Sequence, residues 1–88
     1  MNRIQVILTL DMENLPENFQ EILKQEQEVV TKWKKLGFLE HLFLRQSKNG
    51  AVLVFKELDE EKVTALMETL PFYQLKKSVD YYNLIQQF

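Results

Sequence analysis

The sequence is short of the residue types on which several kinds of site depend. It has no cysteine, which excludes disulfides, thiolate nucleophiles and thiolate metal ligands together. It has one histidine and no cluster of His and Asp residues at ligand spacing, so we expect no metal site and no cofactor. Its 11 basic and 13 acidic residues give a formal charge of −2 without a basic run or stripe, which argues against a nucleic-acid partner.

Long apolar runs are missing as well. The run at residues 4–10 is far shorter than the roughly 20 residues of a membrane-spanning helix, and it lacks a small-residue cleavage site. We therefore expect no membrane association and a cytoplasmic protein. A chain of 88 residues with 45% hydrophobic content is expected to form one domain over residues 1–88. The stability of so small a domain is limited unless a partner covers one face.

Strand and helix signals alternate in the first half of the chain. Apolar residues alternating with polar ones predict a strand at residues 4–10. Pro16 suits the first position of a helix that runs to about residue 36, where Gly37 is a natural stop. Two strands are predicted to follow, at residues 38–46 and 51–56.

The second half of the chain completes a known plan. Asp59 can cap a second helix, Pro71 ends it, and residues 79–84 form a fourth strand. The order β-α-β-β-α-β is that of the ferredoxin-like fold. We therefore predict an α+β protein with a four-stranded antiparallel sheet and two helices on one of its faces.

The pair Asn49-Gly50 predicts a two-residue turn between the second and third strands. Such a turn would place Leu44 opposite Phe55. The face toward the helices would then hold Leu42, Leu44, Leu53 and Phe55. The other face would hold His41, Phe43, Arg45, Val52, Val54 and Lys56. Because this second face is too apolar to lie wholly in water, we predict a homodimer, or an oligomer built from dimers, joined through it. A bulge at the turn would exchange the two faces.

One charged residue lies on the apolar side of the first helix. Glu26 is flanked by Leu23 one turn before and by Val30 one turn after. Packing this side of the helix on a sheet buries the carboxylate, and burial raises a carboxyl pKa. Glu26 is therefore the candidate acid or base of the chain. Alternatively, its side chain reaches solvent or pairs with a lysine or with Arg3.

The predicted packing surrounds Glu26 with a pocket between the first helix and the sheet. Its wall is expected to include Leu8, Leu23, Trp33, Leu42, Phe55, Phe72 and Tyr73, although Trp33 also suits the core and Tyr73 an ordinary loop. His41 is a candidate second proton carrier. The predicted pairing places His41 on the face away from the helices, where a packed interface histidine is the alternative.

Three segments resemble the muconolactone isomerase-like family. They are Gly37-Phe-Leu-Glu-His-Leu-Phe, Gly50-Ala-Val-Leu-Val-Phe and Leu70-Pro-Phe. The resemblance implies a dimeric α+β barrel of the ferredoxin-like type and a cofactor-free proton shift in a small unsaturated lactone. Members of that family continue after Leu-Pro with a longer segment of aromatics and proline, whereas this chain has no second proline there.

Two functional classes remain open from the sequence. One is a cofactor-independent isomerase or related proton-transfer enzyme that acts on a small unsaturated lactone or carbonyl compound. The other is a non-catalytic protein of the same fold, either structural or a binder of a small apolar ligand. Catalysis requires an ionisable group at the pocket, whereas binding tolerates Glu26→Gln.

Overall fold

The predicted elements form in the predicted order, in a computed structural model that describes residues 2–87 and, of Asn2, the backbone alone. They are β1 (Asn2–Leu10), α1 (Phe19–Leu36), β2 (Leu39–Leu44), β3 (Gly50–Lys56), α2 (Glu60–Glu68) and β4 (Lys76–Ile85). Two short 3-10 helices complete the chain. One follows β1 at Met12–Asn14, and the other, which we call the strap, precedes β4 at Pro71–Leu75.

The four strands form one antiparallel sheet in the order β2-β3-β1-β4. Alternate residues of β1 face the helices, so that Ile4, Val6 and Leu8 are buried in one cluster with Val30 of α1 and Val63 of α2. The predicted ferredoxin-like fold is thereby confirmed. Among residues 2–87, no helix is long and apolar enough to cross a lipid bilayer.

The helix ends follow local chemistry, with one correction. Gly37 adopts the left-handed conformation with φ 87° after α1, and the Asp59 side chain accepts a hydrogen bond from the backbone N–H of Lys62 at 2.8 Å, as predicted. The prediction that Pro16 takes the first helical position is wrong. The carbonyl of Pro16 instead accepts the N–H of Phe19 at 3.1 Å in a separate turn, and the helix begins at Phe19.

The hairpin between β2 and β3 has a different turn from the predicted one. Leu44 lies opposite Ala51 rather than Phe55, and the N–H of Lys48 donates to the carbonyl of Arg45 at 2.8 Å. The glycine of the Asn49-Gly50 pair serves the neighbouring strand instead of the turn, because a Cβ atom on Gly50 would lie 2.1 Å from the carbonyl oxygen of Leu8. Because the shift from the predicted pairing is an even number of residues, the two faces of the hairpin are as predicted.

A bulge interrupts the pairing of β2 with β3. The register shifts between Leu39 and His41 and leaves Glu40 without a partner in the ladder. The guanidinium of Arg3 donates to the Glu40 carboxylate twice, with Nε–Oε1 at 2.7 Å and Nη2–Oε2 at 3.1 Å. These hydrogen bonds are the main cause that lowers the pKa of Glu40. The ion pair thus joins the bulged strand to the central strand β1.

The helices do not pack over the end of β2. Leu39 is buried, but Leu42 is exposed and Leu44 retains 79% of its accessible surface. The prediction that the helices cover Leu42 and Leu44 is therefore wrong. The two residues do point to the helix side, but β2 is an edge strand, and the buried cluster is centred on β1 and β3.

We expect Gly50→Ala to lower the free energy of unfolding by about 2 kcal/mol or more, because the added Cβ would overlap the backbone of β1. The matched control is Gly37→Ala, where the added atom meets nothing within 4 Å and the φ of 87° alone makes a side chain unfavourable by about 1 kcal/mol. Urea denaturation measures both. A Gly50→Ala loss no larger than that of Gly37→Ala would contradict the steric argument.

Candidate functional site

The helix α1 buries Glu26. The residue retains 8% of its accessible surface. Among residues 2–87, it is the one charged residue that is buried. Leu23 and Val30 lie one turn away on the same side of the helix, so the carboxylate enters an apolar region. The placement follows from the helical periodicity that the sequence shows.

The strap supplies a hydrogen-bond donor to this carboxylate. Pro71 occupies the first turn of the strap and has no N–H, and Leu70 before it provides no side-chain cap. The N–H of Phe72 also lies in this first turn, where no carbonyl of the strap can accept it. It donates instead to Oε1 of Glu26 at 3.1 Å. A residue of α1 thus caps a segment 46 positions later in the chain.

Burial raises the pKa of Glu26 to about 7, and the hydrogen bond from Phe72 opposes this shift in part. A carboxyl group with this pKa is present in both protonation states near neutral pH. It can therefore accept and return a proton without a large free-energy cost in either direction.

An apolar cavity of about 360 Å³ lies between α1, β1, the β2–β3 hairpin and the strap. It is lined by Leu8, Leu10, Met12, Phe19, Leu23, Leu44, Lys48, Gly50, Ala51 and Phe72. The rings of Phe19 and Phe72 stack at the cavity with centroids 5.5 Å apart and planes inclined by 10°. Lys48, exposed at the hairpin, is the one charged side chain of this wall.

The cavity overlaps only part of the predicted pocket. Leu8, Leu23 and Phe72 line it, whereas Glu26 lies beyond its wall, bound to the backbone of Phe72. The predicted list lacked Phe19, although Phe19 lies on the same apolar stripe as Glu26 and could have been included on that ground. It also lacked the hairpin residues, because their position at the cavity depends on the observed turn, which differs from the turn predicted from the sequence.

The other predicted pocket residues lie elsewhere. Trp33 and Phe55 form a buried pair in the core, with ring centroids 5.7 Å apart. Leu42 borders a separate cavity of about 250 Å³ beside α1. Tyr73, in the strap, is half-buried and carries the Nζ of Lys76 at 4.0 Å above its ring.

His41 does not meet Glu26. It pairs with Val54, on the face of the sheet away from the helices, and its side chain is exposed. Its Nε2 lies 3.9 Å from Oε1 of Glu40, and its ring stacks on that of Phe43 with centroids 5.9 Å apart. Within residues 2–87, no three His, Cys, Asp or Glu side chains are grouped so that they could hold a metal ion.

Several solved structures have the same fold as this chain. Muconolactone isomerase superposes with a TM-score of 0.78 at 16% identity, over 99% of this chain and 91% of that one. An antibiotic biosynthesis monooxygenase gives a TM-score of 0.61 at 15% identity, over 98% of each chain. A 5-chloro-2-hydroxyhydroquinone dehydrochlorinase from Burkholderia phenoliruptrix, solved with 2,5-dihydroxybenzoquinone, gives 0.58 at 14% identity, over 90% of each chain.

These likenesses confirm, at the level of the fold, the resemblance seen in the sequence. Identities of 14–16% carry the fold alone. No protein-family model and no curated protein sequence matches the chain.

Because burial raises the pKa of Glu26 from 4.5 to about 7, the folded state holds its proton more tightly than the unfolded state. The stability associated with the protonated group is fully present below pH 4.5 and is lost as the pH rises through about 7. We expect this loss to be at most about 3 kcal/mol. Glu26→Gln, which keeps an acceptor oxygen for the N–H of Phe72, should therefore be more stable than the wild type at pH 8, and its advantage should shrink at pH 5.

Urea denaturation at both pH values measures this difference. Glu28→Gln, an exposed change on the same helix, is the control and should follow the wild type. Equal stabilities of the wild type and Glu26→Gln at pH 8 would show that burial does not disfavour the ionised carboxylate.

Proposed function

We propose that the protein is a cofactor-independent proton-transfer enzyme, an isomerase of a small unsaturated lactone or carbonyl compound. The observation that supports this best is the buried carboxylate of Glu26, which has a pKa of about 7 and is joined to the wall of an apolar cavity. A carboxylate whose pKa lies near the working pH is a suitable base for proton abstraction next to a carbonyl, and an apolar site disfavours its charged form and so favours the transfer.

In this proposal, the two oxygens of the carboxylate have different tasks. Oε1 accepts the hydrogen bond from the N–H of Phe72, which orients the group while it still holds its proton. Oε2 accepts a proton from a carbon next to the carbonyl of the substrate and returns it to another carbon of the same conjugated system. The bonding electrons stay in the substrate, so the step is an isomerisation that needs no oxidant or reductant.

The substrate would occupy the cavity against Leu23 and Phe72. These two side chains line the cavity, whereas Glu26 does not. In this proposal, the ring of Phe72, which stacks on Phe19 at 5.5 Å, turns aside to let the substrate reach Oε2. The fold likeness to muconolactone isomerase supports the same class of reaction by analogy.

The test is deuterium incorporation into a panel of small unsaturated lactones and enones, followed by proton NMR in D₂O. We expect the wild type to exchange protons next to the carbonyl of at least one of them, with a rate that rises through pH 7 as Glu26 ionises. Glu26→Gln should lower this rate by roughly 100-fold or more, the usual range for loss of a general base. Glu28→Gln, exposed on the same helix, should retain the rate. Exchange by Glu26→Gln at the wild-type rate would contradict the proposal.

The second candidate function is non-catalytic binding of a small apolar ligand in the same cavity. The observation that favours it is the wall itself, which is apolar except for Lys48 and does not include Glu26. A neutral apolar probe should then bind with equal affinity to the wild type and to Glu26→Gln, and no compound of the panel should exchange deuterium.

We also propose that the chain forms a homodimer through the face of the sheet that the helices leave uncovered. Phe43 and Tyr82 lie exposed on this face, and Ile7, Val52 and Val54 are half-buried between them. The pairing places Phe43, Val52 and Ile7 in one row across three strands. A row of apolar side chains on an uncovered sheet face suits a self-complementary contact between two copies of the chain.

We expect the wild type to have twice the chain mass in light scattering at micromolar concentration, and Phe43→Asp to be monomeric, because a charge would be buried at the contact. Leu36→Asp is the matched control. Leu36 is 55% exposed, close to the 58% of Phe43, but it lies at the end of α1 away from the sheet face. A wild-type monomer, or dissociation by Leu36→Asp to the same extent, would contradict the proposed interface.

A further inference from the structure

The strap is fixed at both ends by backbone hydrogen bonds and packs on α1 in the middle. At its start, the N–H of Leu70 donates to the carbonyl of Met67 at 3.0 Å. At its end, the carbonyl of Leu75 accepts the N–H of Asp11 at 2.9 Å. Between these points, it is joined to α1 by the hydrogen bond from Phe72 to Glu26 and by the stack of Phe72 on Phe19.

The carboxylate under the strap is poorly solvated when it is ionised. An ionised carboxylate offers about four acceptor positions. Within residues 2–87, the N–H of Phe72 is the one hydrogen-bond donor that reaches Glu26, and 8% of the residue is exposed to water. A buried charge with one hydrogen bond and no cation beside it is unfavourable, so ionisation favours any movement that admits water.

We infer that the strap is a pH-sensitive cover, which closes over Glu26 when the carboxyl group is protonated and opens when it ionises. The middle of the strap is the element that can move, because its ends are held by the backbone and α1 is a continuous helix of 18 residues. Opening would carry the ring of Phe72 off Phe19 and expose the ionised carboxylate to the cavity.

The surroundings of Glu26 do not supply another switch. On α1, the residues one turn away are Ile22, Leu23, Val29 and Val30, all of them apolar. In the strap, the titratable group is Tyr73, followed at the start of β4 by Lys76 above its ring. The sheet presents apolar residues toward the helices from β1 and β3, namely Ile4, Val6, Leu8, Leu10, Ala51, Leu53 and Phe55. From β4 it presents Val79 and the titratable Tyr81, and Glu26 is not among the groups that shift the pKa of Tyr81. The pKa of Glu26 is shifted by burial and by the Phe72 hydrogen bond alone, and its value of about 7 places the transition near neutral pH.

The inference does not depend on catalysis, because the cover would respond to pH in a ligand-binding protein as well. Its test therefore uses the free protein and no substrate. If deuterium transfer to the lactone panel fails while the strap responds to pH, the proposed enzyme is wrong and the cover stands. The reverse result would leave the enzyme and remove the cover.

The test is amide hydrogen exchange by NMR at pH 6 and pH 8, corrected for the intrinsic dependence of exchange on pH. The reporters are the N–H groups of Phe72 and Tyr73, which donate to Glu26 and to the carbonyl of Leu70. With a closed-state pKa of about 7 and an ordinary value of 4.5 in the open state, protection of both should fall about tenfold between these pH values. Low urea should leave their exchange unchanged, because local opening exposes little surface.

Glu26→Gln fixes the group in a neutral form that still accepts a hydrogen bond, so its strap should be protected equally at both pH values. Glu28→Gln should behave as the wild type. The amides of Val6 and Leu53 in the core report global unfolding and should be better protected than the strap throughout. Three results would each overturn the inference: strap amides exchanging only with the core, no fall in protection from pH 6 to pH 8, or the same fall in Glu26→Gln.

Discussion

The hydrogen bond from the backbone of Phe72 to the carboxylate of Glu26 is the constraint on which the site depends. The periodicity of α1 buries the carboxylate, and a buried carboxylate needs a donor. The strap needs an acceptor, because the N–H of Phe72 lies in its first turn and Leu70 before it supplies no side-chain cap. The carboxylate of α1 thus gains a donor and the strap gains an acceptor, and this one hydrogen bond brings the strap onto α1.

This contact also determines the shape of the cavity. With its backbone held at Glu26, Phe72 stacks its ring on that of Phe19, and both rings line the cavity. A polar interaction in an apolar region therefore positions the apolar surface that a ligand would touch. The titrating group does not line the cavity itself and is bound to the backbone of Phe72, which does.

The sequence predicted the parts of the fold that depend on neighbouring residues. The order of elements, the cap at Asp59, the stop at Gly37 and the burial of Glu26 all follow from periodicity or from capping chemistry within a few positions. The turn at Asn49-Gly50 was misplaced because a glycine can serve a turn or a close approach of two strands. Only the position of β1 in the sheet distinguishes these two roles.

The site could be predicted from the sequence to a similar extent. Glu26 stood out because a charge interrupts an apolar stripe, but its partner lies 46 residues later and no local pattern announces it. Leu8, Leu23 and Phe72 were placed at the cavity by the fold class. Trp33 and Phe55 were not separable from pocket residues by type, because a large aromatic side chain suits a core and a binding wall equally.

The close approach of Gly50 to Leu8 divides the cavity wall into a part that is fixed and a part that is free to vary. Both residues line the cavity, and the space between their backbones leaves no room for a single carbon atom. Position 50 therefore cannot carry a side chain without displacing the backbone of β1, whereas Phe19 and Leu23 on α1 line the same cavity with side chains that no such backbone contact restricts.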